Sequence, residues 1–168
     1  MKHIILVIGL VAGMLTAAFG QGGAQQSPAT SRQTVALAGP EKEANAAIDR
    51  WSAAYSANDV EAVVKNYWPD AILLGTKSPA ISTGTDAIKI YFTGLKLQGS
   101  GNKNVIQERH SIPIDDNAVL VTGFYEFTRM QEGKPVPGPS RFTMLVTRRG
   151  NEWRIAHHHS SPHVMPPQ

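Results

Sequence analysis

The chain has 168 residues, 42% of them hydrophobic and 17% charged, and it contains no cysteine. These proportions describe a folded domain rather than a disordered or fibrous chain, and the length suits a single core. The net charge of +3 is dispersed, without the basic, aromatic-studded stripe that nucleic acid requires, and the lack of Cys excludes disulfides, thiolate metal sites, thiol catalysis and a lipoprotein anchor.

Met1-Lys2-His3 is a short basic start, and Ile4 to Phe19 is a run of sixteen uncharged residues. That run is short for a bilayer span, and small residues follow at cleavage spacing (Ala18 and Gly20, or Gly22 and Ala24). Residues 1–20 therefore read as a secretory signal peptide, with an uncleaved membrane anchor as the alternative. Its removal takes away Lys2 and brings the net charge from +3 to +2, with 15 basic against 13 acidic residues. The protein is thus expected to be exported, periplasmic or secreted, with no membrane attachment after cleavage. Residues 21–40, rich in Gln, Gly, Ala, Ser, Thr and Pro, lack periodicity and read as a flexible linker. Residues 41–163 are expected to form the domain and 164–168 a tail.

Within the domain, Ala44, Ile48, Trp51 and Tyr55 form one helical stripe over 41–57. Asn58 offers an N-cap, with Glu61 closing a capping box, for a second helix from Asp59 to about Tyr67. Pro69 ends it. Residues 71–74 read as a short strand and 75–83 as a loop. Thr83 and Asp86 can cap a third helix with Ala87, Ile88, Tyr91, Phe92 and Leu95 inside. From there, β-type runs take over at 105–114, 118–131, 140–149 and 152–160, separated by turn signals. Pro135-Val136-Pro137-Gly138-Pro139 reads as a stiff connection rather than a strand. Three helices followed by an antiparallel meander give an α+β domain with helices on one sheet face.

The order of these elements carries a resemblance, together with the run Arg141-Phe142-Thr143-Met144-Leu145-Val146-Thr147-Arg148-Arg149-Gly150-Asn151-Glu152-Trp153-Arg154-Ile155-Ala156-His157-His158-His159-Ser160-Ser161-Pro162. The Phe124-Tyr125-Glu126-Phe127-Thr128 strand and the helix from Thr85 to Leu95 fit it too. The chain resembles the nuclear-transport-factor-2-like superfamily over about 41–162. Within it, the nearest likeness is to the association domain of calcium/calmodulin-dependent protein kinase II, its small bacterial relatives and polyketide-cyclase-like proteins. The resemblance implies a cystatin-like cone, in which a curved antiparallel sheet wraps the three N-terminal helices and a pocket opens at one end. It also implies a homodimer or higher homo-oligomer built through the sheet. The kinase branch lines its pocket with arginines. On this matching Arg141 keeps one such position, while Glu126 and Ser160 stand at two others, which suits a neutral or polar ligand better than a dicarboxylate.

The His157-His158-His159 run is the most visible constellation. Strand alternation puts His157 and His159 on the face of Trp153 and Ile155, which would draw them inward, whereas the resemblance places Ser160, on the opposite face, in the pocket. A bulge between them would reconcile the two. His157 and His159 with His110 could present three nitrogens to a metal, but no HExxH motif or ligand-spaced carboxylate accompanies them, so no metal is expected. Glu126 is either a buried acid/base group or an outward charge paired with Arg141 or Arg109. Tyr55, Trp68 and Tyr91 are candidates for the core or pocket wall rather than catalysts, and Tyr125 for a polar ligand contact. No Gly-rich phosphate loop, dinucleotide fingerprint or nucleophile elbow is present, so no cofactor is expected. The expected function is an exported small-molecule-binding domain. The alternatives are a proton-transfer enzyme (isomerase, dehydratase or cyclase type) acting on a small hydrophobic carbonyl compound, and a structural oligomerisation module.

Overall fold

A computed structural model describes residues 39–97 and 101–164. The expected signal peptide, nearly all of the linker and residues 165–168 of the tail lie outside the described residues.

Helix α1 (Gly39–Ser56) buries Ala44, Ala47, Ile48, Trp51, Ala54 and Tyr55, the stripe that threefold and fourfold spacing dictates. Asn58 ends the turn after it in a left-handed conformation, φ 59°. The N-cap of α2 (Val60–Lys65) is therefore Asp59, one residue later than expected, and its Oδ1 accepts from Ala62 N–H at 2.9 Å. Strand β1 (Tyr67–Leu74) begins four residues before the expected strand and absorbs Pro69 at a register irregularity, a position where a missing N–H is tolerated. After the two-residue β2 (Ser82–Thr83) come α3 (Gly84–Phe92) and the short α4 (Gly94–Leu97). Thr83 stands at the N-cap of α3, but its side chain makes no capping bond.

Four long strands follow: β3 (Lys103–Asp115), β4 (Ala118–Gln131), β5 (Lys134–Arg149) and β6 (Glu152–Pro162). The six-stranded sheet has the order β2-β1-β6-β5-β4-β3 and is antiparallel throughout, except that β1 runs parallel to β6. Pro135 to Pro139, expected to be a connection, is part of β5 and pairs with β4 from Met130 back to Glu126. Period-two geometry explains this: the three prolines alternate, so all their missing N–H groups point away from β4. On that side β6 has already ended, with Ser140 facing Pro162.

The sheet curves around α1 through bulges in β1, β3 and β6, each adding local twist. Gly123 makes the β3 bulge possible, since a Cβ there would lie 2.0 Å from Glu108 O. Trp51 is at the centre of the core, with its ring 5.8 Å from Tyr55, 6.1 Å from Tyr125 and 5.1 Å from His158.

Candidate functional site

The site depends on one inserted residue. Leu145 pairs with His157 and Val146 with Ile155, so Ala156 has no partner on β5. The extra residue shifts side-chain alternation by one, as a bulge must. Trp153 and Ile155 face inward before it; His158 and Ser160 face inward after it. His157 and His159 are turned to the outer face.

His158 is fully enclosed. Its Nδ1 is 2.8 Å from the Tyr67 hydroxyl and its Nε2 is 3.2 Å from the Tyr125 hydroxyl. Burial drives its pKa down to about 3, with smaller contributions from His157 and His159. The ring is therefore neutral and carries a single N–H. Burial also raises the pKa of Tyr67 and Tyr125, so both phenols keep their protons. Counting protons then assigns the tautomer. Tyr125 donates its proton to Ser160 Oγ at 2.5 Å, so Tyr125 can only accept from His158 Nε2–H. Nδ1 is left with a lone pair, which takes the Tyr67 proton. Ser160 Oγ also meets Thr76 Oγ1. A continuous chain of hydrogen bonds thus runs from the core, through Tyr67, His158, Tyr125 and Ser160, to Thr76.

The far end of this chain opens into a cavity of about 190 Å³. Its walls are largely aromatic, from Trp51, Tyr55, Tyr91, Phe92, Tyr125 and Phe127; Leu73 and Leu95 add aliphatic surface. Gly75 allows Tyr91 to join the wall, because a Cβ at 75 would lie 2.1 Å from Tyr91 Cζ. Lys77 and Arg129 also line the cavity, and among the described residues no carboxylate does. Burial raises the pKa of Tyr55 and Tyr91, while the Arg129 charge beside them works the other way. The arrangement supplies hydroxyl donors and cationic side chains to a mostly apolar space. Among the described residues that line it, a proton acceptor of ordinary basicity is missing, since the one lone pair of His158 is occupied by Tyr67.

Of the residues singled out from the sequence, Tyr55, Tyr91, Tyr125 and Ser160 line this cavity. The structure does not bring the others to it. Trp68 is buried elsewhere, its Nε1 donating to Thr147 Oγ1 at 3.0 Å and its ring centroid 4.7 Å from the Arg149 guanidinium carbon and 5.0 Å from that of Arg154. Glu126 shares an outer groove with Phe124 and His163, because Tyr125 and Phe127 take the inward positions beside it. Arg141 is exposed and donates to Ser161 Oγ at 3.1 Å, making no pair with Glu126. His110 is exposed and lies 3.0 Å from Glu108. It stands three strands from His159, across Thr122 and Thr143, or roughly 14 Å at normal strand spacing, too far to share a metal with it. Sequence reasoning missed His158, Thr76, Lys77 and Arg129 as site residues. Arg129 had a signal, because Tyr125, Phe127 and Arg129 alternate on one face of β4.

A family profile described as SnoaL-like domain matches residues 44–165. Among solved structures, a protein from Xanthomonas campestris described as a calcium/calmodulin-dependent protein kinase II association domain is 30% identical. That match covers 76% of this chain and 93% of the other, with a TM-score of 0.67. A ketosteroid isomerase-like protein from Erwinia carotovora is 20% identical over 75% of this chain and 97% of its own, with a TM-score of 0.63. A nuclear-transport-factor-2-like protein with a cystatin-like fold from Novosphingobium aromaticivorans is 14% identical over 73% and 81%, with a TM-score of 0.64. The last two show the shared fold alone. No curated protein matches this chain.

Proposed function

Because this chain belongs to the SnoaL-like domain family of the nuclear-transport-factor-2-like superfamily, we propose that it is a small-molecule-binding cone domain that acts after export and as a homo-oligomer. The observation that carries this reading is the open aromatic cavity into which Ser160 and Thr76 deliver the end of a buried hydrogen-bond chain. A fully satisfied polar network beneath an apolar cavity is a rigid floor for a ligand oxygen. The cavity also favours binding over a structural module, since neither Trp68 nor Met144, the side chains that could have been expected to plug it, is among its lining residues. Proton transfer is less well supported: Glu126 lies outside the cavity, and His158 is held neutral with both nitrogens engaged.

Export rests on the first twenty residues of the sequence. Self-association is supported by the apolar side chains on the β3 edge, where Ile112 and Ile114 are 55% and 60% exposed. A dimer formed there would sediment as such at tens of micromolar, and a monomer at that concentration would contradict it.

The binding reading is tested by native mass spectrometry of protein recovered from its own export compartment. Gly94 lines the cavity, and an added Cβ there meets nothing within 4 Å, so Gly94→Phe narrows the space without a backbone clash. The expected result is a small-molecule adduct on the wild type that Gly94→Phe lacks. Bare protein mass for both, with no compound captured from a cell extract, would overturn the reading.

A further inference from the structure

A second recess shares part of the cavity's lining. Thr76, Lys77 and Arg129 line the cavity, and the same three residues line this recess of about 110 Å³, whose other walls include Val136, Pro137 and Pro139. The two spaces meet at these side chains. The prolines of β5 that extend beyond the end of β6 form the far wall, which gives this irregular stretch a role beyond strand pairing.

The electrostatics at the junction are one-sided. Among the described residues, neither Lys77 nor Arg129 has an ion-pair partner, although Arg109, Arg149, Arg154 and Lys89 all do. Arg129 is half-buried and lies 6.0 Å over the Phe127 ring, so its charge is partly removed from water with no anion to compensate. The hydroxyls of Tyr55 and Tyr91 in the wall keep their protons and can donate to an anion as well, whereas the Tyr125 proton is committed to Ser160. A guanidinium beside an ammonium is suited to a planar carboxylate. The larger space sets the size of the apolar part, since an apolar cavity of about 150 Å³ accommodates a benzene ring.

We propose that the two spaces form one bipartite site for an aryl carboxylate: the ring occupies the larger cavity, the carboxylate lies between Lys77 and Arg129, and a short second substituent extends into the proline-walled recess. This rests on the binding reading above and gives it a ligand class. Three compounds separate its parts. Phenylacetate has the ring and the charge, phenylacetamide is its neutral counterpart, and N-acetylphenylglycine keeps the phenylacetate skeleton and adds an acetamide on the carbon that bears the carboxylate.

Titration calorimetry on the full folded domain is expected to show phenylacetate binding at least about tenfold more tightly than phenylacetamide, the range for a charge-assisted contact. N-acetylphenylglycine should bind more tightly still. Arg129→Gln should bring phenylacetate close to phenylacetamide by weakening phenylacetate much more than phenylacetamide, and Lys77→Gln should do so in part. An unchanged melting temperature would show that both variants fold. Equal affinities for phenylacetate and phenylacetamide in the wild type would overturn the carboxylate assignment while leaving the cavity as a binding site. N-acetylphenylglycine binding no better than phenylacetate would overturn the second compartment. If none of the three binds while a retained adduct persists in native spectra, the ligand class is wrong and the binding reading stands; if no adduct exists either, both fail.

Discussion

Acidification should destabilise this protein through His158 before its carboxylates titrate. Burial holds the folded-state pKa near 3, whereas the unfolded chain takes up the proton near 6.5. Between those values the unfolded state binds a proton that the folded state refuses, so stability is complete above about pH 6.5 and falls as pH drops toward 3. Each pH unit is equivalent to about 1.4 kcal/mol, so going from pH 7.5 to 4.5 should remove about 2.7 kcal/mol. Urea unfolding at fixed ionic strength measures this directly, with the fluorescence of Trp51, whose ring is 5.1 Å edge-on from His158, as one reporter. His157 has a lowered pKa too and pushes in the same direction. The comparison is therefore made against His158→Gln, which keeps a donor and an acceptor but does not titrate. Asp70, held down by Arg149, also loses its contribution as pH falls, but only near and below the ordinary Asp pKa of about 4. The wild type should lose clearly more stability than the variant across pH 7.5 to 4.5. Equal slopes for the two proteins would refute both the buried neutral histidine and the hydrogen-bond count built on it.

Other outcomes follow from the same geometry. Gly123→Ala places a methyl against Glu108 O and should lower the urea midpoint by the equivalent of roughly 1–3 kcal/mol, the usual range for overpacking; an unchanged midpoint would mean that the β3 bulge is not fixed. Tyr125→Phe leaves His158 Nε2–H without its acceptor and should cost roughly 1–3 kcal/mol. A double-mutant cycle of Tyr125→Phe with Ser160→Ala should be non-additive, and additivity would show that the two hydroxyls are independent. Asp59→Ala removes the α2 cap and should cost roughly 1 kcal/mol, read from the same unfolding curves.

The helices were legible because they need only a stripe. Ala44, Ile48, Trp51 and Tyr55 fall at the spacing that points them to one side, whatever covers them. The long strands were legible for the same reason, and the resemblance carried by 141–162 supplied their arrangement in space. What escaped depended on neighbours that no local pattern names. The Pro135–Pro139 stretch looks unfit for a sheet until β6 is known to stop short of it. The inward face of the histidine run turns on Ala156, an ordinary residue that becomes a bulge because β5 lacks a partner for it. Pocket positions carried over by family matching, such as Arg141 and Glu126, were placed one face away from the cavity by simple alternation beside Phe142 and Tyr125. Lys77 and Thr76 come from a loop, where sequence offers no period to read.

The central claim is that the aromatic cavity above Ser160 holds a small molecule. A crystal structure of the protein recovered from its own export compartment tests it most directly. Density is expected for a compound of about one ring between Trp51 and Tyr91, with an oxygen atom within hydrogen-bond distance of Ser160 or Thr76. A cavity containing only water in native-source protein, or closed by an inward movement of Tyr91 and Phe92, would contradict it.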